Sequence, residues 1–239
     1  MAKGNKTKEA KSKTITLKMA QNSIELTRDG KRRLDLSYKE ISSVPKCIQK
    51  LCDVDELDLS RNLMMEVPDF LDLFTNIRVL DLHSNYLEQV PETISRLQNL
   101  QVLNLCNNRL TTLPNEIGLL SKLHTLNLGL NQLNDLPSTI AALKELRNIG
   151  LSDNRFTRVP GCLSRLNDLE KVNLDRNPFL TEHSRSQGSV LITNRLYVVK
   201  ESILCDDCLS KCQMERKTLE DAVKKKDPNL LVTQDDREM

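Results

Sequence analysis

One interval of 23 residues organises the middle of this chain. Asparagines recur at this interval six times, and prolines recur at the same interval at another position of the repeat. The asparagines are Asn62, Asn85, Asn108, Asn131, Asn154 and Asn177, and the prolines are Pro45, Pro68, Pro91, Pro114, Pro137 and Pro160. A fixed period of this size indicates a solenoid, in which each unit buries its apolar face only by stacking on its neighbours.

The frame around each asparagine is L-x-x-L-x-L-x-x-N-x-L-x-x-L-P-x-x-I-x-x-L. Its L-x-L alternation has the period of two expected for a short strand whose leucines point inward. The asparagine at the following turn can bind backbone groups of neighbouring coils, and the proline starts the return of the coil, where its missing N–H has no cost. Leucine (42 of 239 residues) and asparagine (20) therefore dominate the composition as scaffold residues.

This frame, with L-P in mid-repeat, resembles the short cytoplasmic form of the leucine-rich repeat family over roughly residues 31–180, about six and a half copies. The resemblance implies an α/β fold: a curved leucine-rich repeat solenoid with a parallel β-sheet on its concave side and with N- and C-terminal caps. It implies a cytoplasmic, non-enzymatic protein. The non-repeat segments Ile15–Ala20 and Cys205–Gln213 further resemble a member associated with testis and sperm development. The family supplies no functional residue to carry over.

The residues outside the repeats form four further segments. Residues 14–30 are predicted to be the N-terminal cap, with a hairpin turn at Arg28-Asp29-Gly30 and a short helix or a strand at Ile15–Ala20. Residues 181–228 are predicted to be the C-terminal cap with a terminal helix. Residues 1–13 and 229–239 are predicted to be disordered tails. The first is basic, and it is either a solvated tail or an electrostatic arm for an acidic partner.

Charge and composition exclude several classes of function. A net charge of +2, 3% aromatic residues and no tryptophan offer neither the field nor the stacking platforms that nucleic acid requires. No apolar run approaches the roughly 20 residues of a membrane span. The seven cysteines, with no apparent export signal, are expected to be reduced thiols. We therefore expect a cytoplasmic monomer that binds another protein, with no nucleic acid, no membrane and no cofactor.

Residues for chemistry are sparse. The chain has no phosphate-binding glycine loop and no H-E-x-x-H or G-x-S-x-G motif. His83 and Cys106 are predicted to lie near each other, but an open sheet neither excludes water nor orients a base, so we expect no enzyme. Three clustered thiols could hold zinc with a fourth ligand such as His183, act in redox chemistry, or line the buried face of a helix, which we favour. These are Cys205, Cys208 and Cys212.

The residues between the strand leucines are predicted to face the concave surface in rows. One row begins with three aspartates, so the N-terminal half offers an acidic stripe to a basic partner, while the middle is nearly neutral. Tyrosine and exposed leucine beside small uncharged residues suit a protein interface. The candidate protein-binding residues are Asp58, Asp81, His83, Tyr86, Asn104, Asn127 and Leu130.

The leading hypothesis is a cytoplasmic interaction scaffold or adaptor. Its mechanism would be passive, because a preformed concave surface binds a partner segment with little ordering cost. The resemblance adds a role in spermatogenesis and sperm maturation. Two alternatives are a structural component of a large assembly such as the sperm axoneme, where the basic tail would contact acidic protein tails, and a regulatory subunit of a partner enzyme.

Overall fold

The computed structural model describes residues 14–179. This part of the chain begins with a helix, α1, and continues with eight short strands, β1 to β8. The bounds are α1 Leu17–Asn22, β1 Ile24–Leu26, β2 Arg32–Asp35, β3 Glu56–Asp58, β4 Val79–Asp81, β5 Val102–Asn104, β6 Thr125–Asn127, β7 Asn148–Gly150 and β8 Lys171–Asn173. The 3-10 helices are Lys46–Leu51, Asp69–Leu73, Glu92–Arg96, Asn115–Leu119, Ser138–Ala142 and Gly161–Arg165.

The strands form one open sheet in chain order, β1 to β8. From β2 to β8 every pairing is parallel, and each strand pairs in register with the strand one repeat later, as Leu57 with Leu80 and Leu103 with Leu126. The fixed interval therefore sets the register, because equivalent residues of successive repeats become neighbours in the sheet. The predicted parallel sheet of a solenoid is confirmed.

The first strand enters the sheet through the predicted hairpin. Strand β1 pairs antiparallel with β2, and Gly30 in the turn between them has φ +75, a left-handed conformation that glycine adopts without strain. The side chain of Asp29 accepts hydrogen bonds from Lys31 and Thr27, which together lower its pKa to about 2. Before the hairpin, the segment that fitted a helix or a strand is the helix α1, capped by the Thr16 hydroxyl.

The core is one continuous cluster of apolar side chains, most of them aliphatic, that runs through the coils. The central leucines of the strands are almost fully buried, with Leu80, Leu103 and Leu126 at 0% exposure. On the opposite side of each coil, a repeat proline precedes the 3-10 helix, with φ between −59 and −73. Its carbonyl accepts the N–H three residues later, as in Ile94 to Pro91 at 3.1 Å. The predicted role of proline at the start of the return is confirmed.

The repeat asparagines form a buried ladder that joins successive coils. Asn131 is 8% exposed; its Oδ1 accepts the backbone N–H of Leu110 at 3.0 Å. Its Nδ2 donates to the carbonyl oxygens of Leu105, Leu128 and Gly129 at 2.9–3.2 Å. The other five asparagines bind in the same way. Each side chain thus satisfies backbone groups in its own coil and in the preceding one, as the sequence predicts.

The residue before each ladder asparagine has a left-handed backbone, and so does Tyr38, which precedes Lys39 at the equivalent position of the first coil; none of these residues is glycine. Their φ values lie between 53 and 56, and they are Tyr38, Arg61, Ser84, Asn107, Leu130, Asp153 and Arg176. This conformation costs roughly 1–2 kcal/mol in a residue with a side chain. In return, the N–H of Arg61 and that of Leu130 reach a carbonyl of the next coil at 2.8 and 2.9 Å. Cross-coil hydrogen bonds therefore hold the tight turn.

Several predictions fall outside the described residues. They are the tails 1–13 and 229–239, the cap 181–228, His183 and the cluster Cys205, Cys208 and Cys212. Between residues 14 and 179, no helix is long and apolar enough to cross a membrane.

Candidate protein-binding surface

Two rows of side chains cover the sheet face turned away from the leucine core. From β2 to β8, three residues of each strand take part in the parallel pairing. The first of the three belongs to the strand row, and the third belongs to the Asx row, in which most residues are aspartate or asparagine. The strand row is Arg33, Glu56, Val79, Val102, Thr125, Asn148 and Lys171; the Asx row is Asp35, Asp58, Asp81, Asn104, Asn127, Gly150 and Asn173. The sequence predicted the membership of both rows, and the strand pairing confirms it.

Most members of the Asx row have a structural role at the end of their strand. The Oδ1 atom accepts the backbone N–H two residues later, at 2.9–3.2 Å. The acceptor and donor pairs are Asp35 with Ser37, Asp58 with Ser60, Asp81 with His83, Asn104 with Cys106, and Asn173 with Asp175. Aspartate and asparagine suit this position because their short side chains bind the backbone of the following turn. One oxygen of each carboxylate is therefore already engaged within the protein.

Asp58 is also engaged through its second oxygen. It is 8% exposed, and its Oδ2 accepts a hydrogen bond from the Arg33 guanidinium at 2.5 Å. Burial opposes the charged form of Arg33, but the hydrogen bond and charge of Asp58 outweigh it, and the pKa of Arg33 is raised. Asp58 is therefore a buried, neutralised charge. This corrects the prediction of an acidic stripe that is open to a basic partner at this position.

Asp81 joins two other candidate residues in one cluster. Its Oδ1 lies 2.6 Å from His83 Nδ1, and its Oδ2 accepts from Asn104 Nδ2 at 3.2 Å. The side chains of Asp81 and His83 are 25% and 12% exposed, and the nearby Cys106 is 5% exposed. Among the described residues, no group of three histidine, cysteine or acidic side chains could hold a metal ion.

The face over β5, β6 and β7 is uncharged in both rows. Its side chains are half-buried apolar, hydroxyl or amide groups, and Asn148 Nδ2 donates to the Thr125 hydroxyl at 3.3 Å. We call this surface the central patch: Val102, Asn104, Thr125, Asn127 and Asn148. Gly150 continues the Asx row over β7, and it adds no side chain to this end of the central patch. The predicted neutral middle of the face is present.

Tyrosine and arginine stack along the turns that follow the strands. Tyr86 is 40% exposed, and the Arg109 guanidinium lies 4.6 Å from the centre of its ring. Tyr38 is 59% exposed, with Arg61 at 4.5 Å. Sequence reasoning placed Tyr86 at the rim and missed the other three residues. The 23-residue spacing between each tyrosine and its arginine is the signal that could have found them.

Residues 69–186 match a family described as a leucine-rich repeat region. A solved leucine-rich repeat protein of Leptospira interrogans is 33% identical, with a TM-score of 0.59, over 71% of this chain and 48% of that one. The open sheet of residues 14–179 has the solenoid fold of this leucine-rich repeat protein. An internalin of Listeria monocytogenes, 23% identical with a TM-score of 0.53 over 59% of this chain and 40% of its own, shares the fold.

Leucine-rich repeat domains generally bind other proteins and are typically interaction scaffolds, not enzymes. This chain spans less than half the length of the two solved proteins. Among the seven candidate residues, the structure joins Asp81, His83 and Asn104 directly and places Asn127 beside Asn104. Leu130 is half-buried in its left-handed turn. Their role in binding stays a prediction.

Proposed function

We propose that this leucine-rich repeat protein is a non-enzymatic scaffold or adaptor that binds a segment of another protein across the central patch. The observation that carries the proposal is the change in the use of polar positions along the sheet. The aspartates over β3 and β4 are engaged by neighbouring side chains, whereas the rows over β5 to β7 carry no charge. Covering uncharged groups with a partner costs less desolvation than covering charges.

The rigidity of the surface supports the same proposal. Parallel strand pairing and the asparagine ladder fix the backbone beneath the central patch on both sides. A preformed surface loses little conformational freedom when a partner binds, so more of the contact energy remains as affinity. Tyr86, 40% exposed at the rim, belongs to a residue type that is enriched among the dominant contacts of protein interfaces.

We extend the proposal to the cytoplasm of male germ cells, with a role in sperm development. The support is the resemblance of the segments flanking the repeats to leucine-rich repeat-containing protein 18, together with the composition. The working form is a monomer that uses neither nucleic acid nor membrane as its main partner. Immunolocalisation of the chain in testis sections tests this extension, and a signal confined to other tissues or to nuclei would contradict it.

Crosslinking with mass spectrometry in cells that express the full chain tests the scaffold proposal. The baits are wild type, Thr125→Arg and Asn127→Arg, which add a bulky charge to the central patch. Ser121→Arg is the matched control, because Ser121 is exposed on the segment that leads into β6, away from the two rows. We expect partner proteins that wild type and the control recover and that both patch variants lose.

Two results of the crosslinking experiment would contradict the proposal. Partners retained by both patch variants would move the interface away from the central patch. A wild-type bait that enriches no protein over an unrelated leucine-rich control would contradict the scaffold function itself. Circular dichroism and thermal unfolding of each variant show that the domain remains folded.

A further inference from the structure

Two tyrosine–arginine stacks lie on consecutive turns at one edge of the sheet. Tyr38 and Arg61 precede equivalent ladder positions, whereas Tyr86 and Arg109 directly follow ladder asparagines. The turns adjoin, since the N–H of Arg61 binds the carbonyl of His83 and the N–H of Tyr86 binds that of Met64, both at 2.8 Å. The four side chains thus occupy four neighbouring coils. We call this set the Tyr-Arg ledge.

The two arginines of the ledge differ from the paired arginines nearby. Arginine and carboxylate form lateral ion pairs at Arg33–Asp58, Arg78–Asp55, Arg96–Asp72, Arg147–Glu170 and Arg176–Asp153. Within residues 14–179, neither Arg61 nor Arg109 has a salt bridge to a carboxylate, and each is held over an aromatic ring instead. The N–H groups of a guanidinium lie in the plane of the group, so stacking its flat face on a ring leaves them accessible. Two of them can then bind one oxyanion through two hydrogen bonds.

The spacing of the two tyrosine–arginine stacks indicates how far apart the acidic groups of a ligand would lie. Each guanidinium leans onto a ring one coil earlier, and the coils that carry Arg61 and Arg109 are two strand spacings apart, about 10 Å. A polyproline II segment presents every third side chain on the same side, at about 9 Å. Two acidic residues separated by two others would therefore meet both forks. Met65, 57% exposed on the turn between the stacks, offers an apolar contact to the residues between them.

The surrounding charges favour a protein segment over a polyanion. Glu66 and Glu88 are exposed on the turns that follow the same strands. A nucleic acid strand, with a phosphate at every nucleotide, would bring negative charge against these carboxylates, whereas two well-separated acidic side chains need not. The positive groups act as two placed contacts, not as a broad positive field.

We propose that the Tyr-Arg ledge binds an extended acidic segment of a partner protein, with two carboxylates three residues apart seated on Arg61 and Arg109. This inference rests on the proposed scaffold function and adds to it a second contact surface and the chemistry of the partner segment. Tyr38 and Tyr86 position the guanidinium groups and provide the apolar floor beneath them.

Fluorescence anisotropy with synthetic peptides and the full chain tests the ledge. The probe is a labelled proline- and alanine-rich peptide with two glutamates three residues apart, and its counterpart carries glutamines. A phosphoserine version separates a carboxylate from a phosphate preference. We expect the glutamine peptide to bind at least about tenfold more weakly, a loss expected for charge-assisted hydrogen bonds. Arg61→Gln and Arg109→Gln should each cause a similar loss, and the double variant should abolish binding.

Arg155→Gln is the matched control. Arg155 follows Asn154 as Arg109 follows Asn108 and is exposed, but Gln132 stands where the stacked tyrosine would be. We expect its substitution to leave the affinity unchanged. Arg61→Lys with Arg109→Lys keeps the charge and removes the planar fork, and it should lose most of the affinity.

Three results would overturn the ledge proposal: equal affinity for both peptides, unchanged binding by the double variant, or tighter binding of single-stranded RNA or anionic vesicles than of the acidic peptide. Crosslinking separates this outcome from failure of the scaffold function. If the double variant keeps every partner that Thr125→Arg loses, the ledge is wrong and the scaffold stands. If wild type recovers no partner, the scaffold is wrong as well.

Discussion

The coils of β2 to β4 and those of β5 to β7 share the same backbone structure but differ in the charge of their exposed sheet face. Both regions share the strand register, the buried leucines and the asparagine ladder. In the first region, Arg33 pairs with Asp58 across coils, and Asp81 binds Asn104 at the boundary with the second region. In the second, the rows over the strands are uncharged. The repeated positions therefore determine the backbone structure, and the residues between them determine the charge and polarity of the surface.

The difference also shows that a charged row is not necessarily an open charged surface. Asp58 lies in a row that faces away from the core, and yet it is 8% exposed because Arg33 covers it. In the second region, Asn104 and Asn148 also donate hydrogen bonds to neighbouring side chains, but neither carries a charge. Substitutions at equivalent positions of the two regions can test this comparison directly.

The largest effect is expected at Asp58. Asp58→Lys removes the partner of Arg33, adds a like charge beside it and leaves the Ser60 N–H without its acceptor. We expect the free energy of unfolding to fall by about 2–4 kcal/mol, somewhat less than for a fully buried ion pair, because the Arg33 side chain is 38% exposed. Asn127→Lys, at the equivalent position of β6, should change it by less than about 0.5 kcal/mol. Urea unfolding followed by circular dichroism measures both, and equal losses would erase the distinction.

The second-largest loss of stability is expected when a ladder asparagine is removed, and it should be the same in both regions. Asn131→Ala removes the hydrogen bond accepted from Leu110 and the three that Nδ2 donates, and it leaves the buried N–H of Leu110 without a partner, at a cost of about 1–3 kcal/mol. Asn62→Ala should cost about as much, because its ladder contacts are equivalent. Asn134→Ala, at an exposed position, is the control. A thermal midpoint equal to that of wild type for either ladder variant would contradict the structural role of the ladder.

The smallest effect is expected in the hairpin that precedes both regions. The side chains of Lys31 and Thr27 hold the pKa of Asp29 at about 2, below its usual 3.8. Since the folded pKa is lowered, the stabilisation is present above the usual value and is lost as the pH falls through about 2. Lys31→Met should move the pKa of Asp29 upward, as read from the NMR shift of its carboxyl carbon. An unchanged midpoint would show that this exposed ion pair contributes nothing.

The fold could be predicted from the sequence because its determinants recur at fixed positions. The 23-residue interval placed equivalent residues side by side, and Asp29-Gly30 marked the hairpin. The burial of Asp58 could not be predicted in this way, because it depends on a diagonal contact with Arg33, 25 residues earlier, and on the side-chain conformations that make it. One tyrosine of the ledge, Tyr86, was found from the sequence; its stacking on Arg109 was not, although their spacing of 23 residues already placed them on adjacent coils.

The asparagine ladder has a direction, and this matters when the chain is synthesised. The Oδ1 of Asn62 binds the N–H groups of Lys39 and Ile41 in the preceding coil, and Asn131 does the same for Leu110. Each turn is thus completed by a residue that leaves the ribosome later. At roughly 5–20 residues per second, the completing asparagine follows its coil by about one to five seconds. The growing domain always ends in one coil whose turn is still open, and that coil closes only when its successor arrives.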